Sequence, residues 1–203
     1  MLGAGTPDVR PGRLPDALER LLGAGEWWAL ILPEERKAAA AARTRLRASA
    51  GAIRAAADDL ATAGIAATVQ HDDLHGGNIL VGRDGDRIFD WGDAAVAHPF
   101  ATLRGTFNSI AHHTGRDGGD PVFDRLLDVY LEAWTDVLPR QALVALSALA
   151  LDYACIGKAL AWERALRGLE ADEMGEFGDS VAGWLVDFAN RLGGPAWVGR
   201  PTR

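Results

Sequence analysis

Two short motifs in the middle of the chain hold the side chains best suited to chemistry. Residues 71–78 read HDDLHGGN, in which the Asp73 carboxylate and the Asn78 amide are five positions apart, and residues 90–92 read DWG. Phosphoryl transfer needs a carboxylate that accepts the proton of the attacking hydroxyl, and oxygen ligands for the Mg²⁺ that accompanies a nucleoside triphosphate. The spacing H-x-D-L-x-x-x-N followed by D-x-G is typical of that chemistry.

A short hairpin is predicted to bring the two motifs together. Residues 79–81 and 87–89 are rich in apolar side chains, and the segment 82–86 between them contains an Asp-Gly pair, which favours a tight turn. Such a hairpin folds the chain back on itself and returns Asp90 to the neighbourhood of Asn78. The segment 67–69, just before the first motif, is predicted to be extended.

Helical spacing of apolar residues dominates the rest of the chain. We predict one helix over 15–23 and an Ala-rich helical stretch from Pro33 to Gly64 that breaks near Ser49–Gly51. Four more are predicted near 100–114, 121–137, 139–168 and 172–192, the third as the central buried helix, with residues 193–195 as the final stop. Residues 1–13 are expected to form a loose arm and 196–203 a tail. The fold class is therefore mainly α with a small β-hairpin (α+β).

With these motifs the chain resembles the aminoglycoside phosphotransferase family, small-molecule kinases with a protein-kinase-like fold. The resemblance implies that Asp73 is the catalytic base and that Asn78 and Asp90 bind the cofactor Mg²⁺ with ATP or GTP as co-substrate. It also implies that His71 braces the catalytic loop and that His75 lies near the transferred phosphate. The implied partners are a nucleotide and a small molecule bearing a hydroxyl group.

The sequence departs from that family in two ways. Asp72 stands where the family usually has Gly, which places a second carboxylate beside the base. Upstream of His71 there is no strand-rich segment with a G-x-G-x-x-G loop, and Lys37 precedes an Ala run that is helical in pattern. We therefore expect residues 14–195 to form a C-terminal lobe with the N-terminal lobe absent, and the chain alone to be inactive. Apolar surface left exposed would favour a homodimer or a separate N-lobe chain.

Two other functions remain open at this point. One is a non-catalytic binding module derived from a kinase. The other is a metallohydrolase, because His71, Asp73 and His75 alternate and Asp90 would complete a four-ligand set. The asparagine spacing and the DWG motif favour the phosphotransferase.

Composition limits the partners. The net charge of −7 argues against a phosphate-tracking nucleic-acid surface, and no uninterrupted apolar run is long enough for a membrane span. Cys155, the single cysteine, is predicted to be an inert buried thiol. Without a secretory signal pattern, a cytoplasmic location is expected. Residues 152–187 contain eight acids, which we interpret mainly as solvated helix faces, with a cationic substrate as the alternative.

Overall fold

Helices account for most of residues 5–192, the part of the chain that the computed structural model describes. Two small antiparallel sheets accompany them, so the predicted α+β class is confirmed. The α-helices of this part are α1 Leu14–Gly23, α2 Gly25–Ala29, α3 Arg36–Ala48, α4 Ala50–Thr62, α5 Leu103–Thr114, α6 Pro121–Leu131, α7 Arg140–Leu166 and α8 Ser180–Arg191.

The Ala-rich stretch breaks at Ser49, as predicted, and Gly64 follows α4 in the left-handed conformation at φ +88°. The prediction for the last helix was wrong at its start, because α8 begins at Ser180 rather than near 172. Turns and the 3₁₀ helix Gly175–Phe177 occupy the intervening chain, where Gly175 is left-handed at φ +55° and interrupts regular helix. The predicted stop at 193–195 and the tail 196–203 lie outside the described residues.

The four strands found between residues 5 and 192 form two separate pairs. β1 Thr68–Gln70 pairs with β4 Ala95–Ala97, and β2 Ile79–Leu80 pairs with β3 Arg87–Ile88. The second pair is the predicted hairpin, with strands one residue shorter than the apolar runs. The first pair joins segments 25 or more residues apart in the sequence, and no local turn motif predicts that pairing.

The first part of the chain is docked, not loose as expected for residues 1–13. The Val96 N–H donates to the Pro7 carbonyl at 2.8 Å, the Val9 N–H donates to the Val96 carbonyl at 2.9 Å, and Val9 is buried. β1 covers one edge of β4, and residues 7–9 satisfy the backbone groups on its other edge. Residues 1–4 lie outside the described part.

α7 is the central buried helix that the sequence predicts. Every residue from 153 to 160 is buried, including Lys158, and burial raises the pKa of the Cys155 thiol to about 11. Within the described residues, α7 also has the length and hydropathy of a membrane-crossing helix, but 72% of its apolar window is buried against the rest of the fold. Core helices commonly share those properties.

A buried charged cluster joins α5, α7 and α8. The Arg104 guanidinium donates through Nε and Nη2 to the Leu151 carbonyl at 2.9 and 2.7 Å and approaches Asp152 Oδ1 at 3.5 Å. Arg191 pairs with Asp187 on α8 at 3.5 Å. Burial raises the pKa of Asp152 to about 6, although Arg104 and Arg191 oppose the shift.

Candidate active site

The two small sheets bring the two motifs together. One sheet joins the start of the first motif to the end of the second, and the other joins the end of the first motif to the start of the second. β1 leads into residues 71–78 and β4 follows residues 90–93, so that Gln70 lies opposite Ala95 across the first sheet. At the other end, the Phe89 N–H donates to the Asn78 carbonyl at 3.1 Å. The prediction that the hairpin returns the second motif to the first is confirmed.

Asp73 lies at the middle of the loop with its carboxylate about half exposed. Its backbone N–H donates to His71 Nδ1 at 3.3 Å, and its backbone carbonyl accepts from Asn78 Nδ2 at 3.0 Å. Two donors approach its Oδ2 atom, Asn78 Nδ2 and His75 Nε2, each at 3.4 Å. Hydrogen bonds within the motif therefore fix the backbone of the predicted base. Both side-chain donors are directed at Oδ2, so Oδ1 is the carboxylate oxygen that remains for another partner.

His71 connects the two motifs. Its ring is buried, and Nε2 lies 2.7 Å from the Phe89 carbonyl, one residue before Asp90. Because that carbonyl can only accept and the Asp73 N–H can only donate, His71 must be the neutral tautomer with its proton on Nε2. The ring also packs against Trp91, with 4.9 Å between centroids. This arrangement agrees with the bracing role that the sequence predicts.

His75 is placed beside the predicted base. Its Nδ1 accepts the Gly77 N–H at 3.0 Å, so in the neutral ring Nε2 carries the proton that points toward Asp73 Oδ2. Gly77 makes this arrangement feasible, since a Cβ there would lie 2.7 Å from the imidazole Cε1.

Asn78 and Asp90, the two predicted metal ligands, each carry a side-chain oxygen, and their backbones are neighbours because the Phe89 N–H donates to the Asn78 carbonyl. Asn78 is buried, and because its amide nitrogen donates to Asp73, its Oδ1 is the acceptor. Asp90 is exposed and left-handed at φ 61° and ψ 62°, a conformation that Asp tolerates better than most residues. Trp91 steadies the turn that follows by donating from Nε1 to the Ile88 carbonyl at 3.1 Å.

Asp72 is held from behind by a residue that the sequence analysis missed. It is buried and left-handed at φ 63°, and Lys158 of α7 donates to its carbonyl, with Nζ 3.6 Å from Oδ1. Burial raises the pKa of the Asp72 carboxyl, while Lys158 and Arg164 oppose that shift. The available signal was a single lysine inside an otherwise apolar stretch of a helix.

The alternative of a metallohydrolase lacks a ligand set among the described residues. His71 uses both ring nitrogens on backbone partners, and His75 uses Nδ1 on one and directs Nε2 at Asp73. Among residues 5–192, no group of three or more His, Cys, Asp or Glu side chains is close enough to hold a metal ion.

His98 caps the 3₁₀ helix Pro99–Thr102. Its Nδ1 accepts the Phe100 N–H at 3.2 Å, and burial lowers the pKa of the imidazole to about 4. A ring kept neutral in this way serves packing and capping.

Exposed apolar side chains concentrate on the β2–β3 hairpin beside the motifs. Leu80 and Val81 are 59% and 78% exposed, and Ile88, Phe89 and Trp91 are also exposed. The pairing of this apolar surface with a second copy or a separate N-lobe chain stays a prediction.

An open groove of about 840 Å³ lies between α3, α7 and α8. It combines aromatic with acidic groups, and Trp162 at its edge stacks on Phe177 with 5.1 Å between ring centroids. Trp162 is one helical turn beyond Lys158, the residue that contacts the loop. The aromatic and acidic residues that line the groove are Glu34, Glu35, Trp162, Asp179, Trp184 and Asp187.

Comparison with known proteins gives one family match. The family model described as the phosphotransferase enzyme family, APH, matches residues 6–144, more than half of the chain. That span includes both motifs and residues 7–9, which are docked on β4, and it ends in the second turn of α7. Neither the curated proteins nor the solved structures contain a match to the chain.

Proposed function

The chain belongs to the phosphotransferase enzyme family, and on that premise we propose that it transfers a phosphoryl group from ATP or GTP to a hydroxyl group of a small molecule. The observation that carries this proposal is the joining of the two motifs. Asp73 and Asn78 share one loop, and the Asn78 carbonyl is hydrogen-bonded to the residue before Asp90. A protein-kinase-like C-terminal lobe is the fold we propose for this arrangement.

Asp73 is the proposed catalytic base. With two donors directed at Oδ2, the free lone pairs of Oδ1 suit it to accept the proton of the attacking hydroxyl. His71 holds the loop against the second motif through the Phe89 carbonyl. His75, with its Nε2 proton beside Asp73, is proposed to face the incoming phosphoryl group.

Asn78 and Asp90 fit a magnesium ion by the chemistry of their donors. The Asn78 amide is oriented by its nitrogen, so that Oδ1 is available, and the Asp90 carboxylate is exposed; Mg²⁺ prefers such hard oxygen ligands and few of them. When bound, the ion would neutralise charge on the phosphates of the nucleotide.

A cationic acceptor is supported by the groove between α3, α7 and α8. Of its acids, Glu34 and Asp179 can attract a protonated amine, whereas Asp187 already pairs with Arg191. The indole faces suit the apolar side of the same molecule. We therefore propose that the acceptor bears both a hydroxyl and an amino group.

A metal-binding experiment tests the proposed site. Mn²⁺ binding is followed by electron paramagnetic resonance in the presence of millimolar ATP or GTP, for the unmodified chain and for Asp90→Asn. We expect the variant to bind Mn²⁺ at least about tenfold more weakly, since it loses a charged ligand. Asp84→Asn, which removes the same charge from the hairpin turn, is the matched control and should bind normally.

Two outcomes would redirect the proposal. Equal Mn²⁺ affinity in Asp90→Asn and the unmodified chain would remove Asp90 from the site. Because the chain alone is expected to be inactive, transfer is assayed with a form that also carries an N-terminal lobe; metal–nucleotide binding by that form without transfer of labelled γ-phosphate to any amino alcohol would favour the non-catalytic binding module instead.

A further inference from the structure

Four backbone groups on either side of the Asp73 side chain are hydrogen-bonded. The Asp73 N–H and carbonyl bond to His71 and Asn78, both within the motif. The flanking carbonyls are held from outside it: Thr106 Oγ1 of α5 donates to Leu74 at 2.8 Å, and Lys158 Nζ of α7 donates to Asp72. Two helices that are distant in sequence, α5 and α7, thus donate hydrogen bonds to the loop on either side of the base.

The Lys158 contact is the more demanding of the two. An ammonium group loses its hydration when it is buried, and the Lys158 side chain is 11% exposed. The Asp72 carbonyl and carboxylate both face it, which compensates for that loss. Gly105 of α5 permits the close approach, because a Cβ there would lie 3.3 Å from both the Asp72 carbonyl and Lys158 Nζ.

We propose that Lys158 is a positioning residue, which fixes the direction of Asp73 by holding the Asp72 carbonyl while that residue is left-handed. Asp tolerates the left-handed conformation better than most residues, but the conformation still costs free energy and is kept where the surroundings stabilise it. A turn of the Asp72–Asp73 peptide would rotate the base away from Asn78. The effect of Lys158 on catalysis rests on the proposed function. The contact between Lys158 and Asp72 does not.

The test compares Asp72→Gly with the double variant Asp72→Gly, Lys158→Met. Glycine adopts φ near +63° readily, and the double variant leaves neither an unpaired carboxylate nor an unpaired ammonium group, so it should fold. In Asp72→Gly the backbone carbonyl of residue 72 still accepts from Lys158. Amide hydrogen exchange is measured by NMR. In the double variant we expect exchange at Asp73 and Asn78 to be about tenfold faster, the usual effect of one hydrogen bond from a charged donor, with exchange in α8 unchanged.

Asp72→Gly, Arg164→Met is the matched control, because Arg164 is the other α7 cation that acts on Asp72. It changes the charge equally and should leave loop exchange unchanged. Unaltered exchange in the Lys158 variant, equal acceleration in α8, or the same effect from Arg164→Met would each overturn the proposal.

A second measurement needs no substitution. The chain has only two lysines, Lys37 and Lys158, and Lys37 is exposed. We expect the Lys158 ammonium protons to give a persistent NMR signal and those of Lys37 to be lost to exchange with water; loss of both signals would contradict the contact. Mn²⁺ binding in the same variants separates the two ideas, since an absence of metal binding in every form counts against the proposed function alone.

Discussion

Replacing Asp152 by Asn should change how the stability of this protein depends on pH. Asp152 is about one-fifth exposed, and burial raises its pKa from 3.8 to about 6. The folded state therefore binds a proton more tightly than the unfolded chain between those two values. Stability contributed by this group is greatest at low pH, declines as the pH rises from about 4 to 6, and is constant above that range.

The shift of about two pKa units corresponds to about 3 kcal/mol of unfolding free energy. The groups that act on Asp152 are Arg104, Arg191 and Asp187, and the attraction of the two cations is already included in the net shift. Asparagine keeps the size and an acceptor oxygen but does not ionise, so the pH-dependent part disappears.

Denaturant unfolding followed by circular dichroism, at intervals from pH 4 to 7.5, measures this effect. The unfolding free energy of the unmodified chain minus that of Asp152→Asn should fall by up to about 3 kcal/mol across the range. Asp136→Asn is the control for loss of one negative charge at an exposed position. Parallel curves would show that burial does not dominate at Asp152, and a difference that grows with pH would show that the Arg104 pair does.

Three further predictions concern the site. Asp73→Asn should reduce turnover by about 10²–10⁴ in any form that transfers phosphate, a typical general-base contribution, with nucleotide affinity little changed; undiminished transfer would exclude Asp73 as the base. Gly77→Ala should displace the His75 ring, because the added Cβ lies 2.7 Å from it, and the His75 NMR signals should shift while those of His98 stay in place. The 203-residue chain alone should bind Mg-ATP weakly when measured by calorimetry. In sedimentation experiments it should self-associate through the exposed apolar side chains of the β2–β3 hairpin. Micromolar affinity for Mg-ATP in a chain that stays monomeric would refute both expectations.

The family and the local elements of the site were predictable because their signals are local. The fixed spacing of residues 71–78 and 90–92 identified the family, and the family match confirms it. The hairpin between them follows from an Asp-Gly turn flanked by apolar runs. The chemical roles of Asp73, Asn78 and Asp90 stay predictions, although the structure brings their backbones together.

The predicted limits of helices and loops were wrong in segments where the spacing of apolar residues and the tertiary packing favour different structures. Acidic and apolar residues after 172 fit a helical period, yet Gly175 takes a left-handed conformation and α8 starts later. Residues 1–13 have no apolar period, which predicts a loose arm. Residues 7–9 are ordered because one edge of β4 offers them backbone partners, which only the folded sheet provides.

The sequence by itself determined the family and predicts which residues would carry its chemistry, because those residues are close along the chain and their types and spacing are constrained by phosphoryl transfer. The tertiary structure alone decided what holds them. Lys158 lies 86 positions from Asp72, and its role depends on the packing of α7 against the loop and on the space that Gly105 leaves. A contact between such distant residues is set by how helices pack, and no periodicity or motif in either segment encodes it.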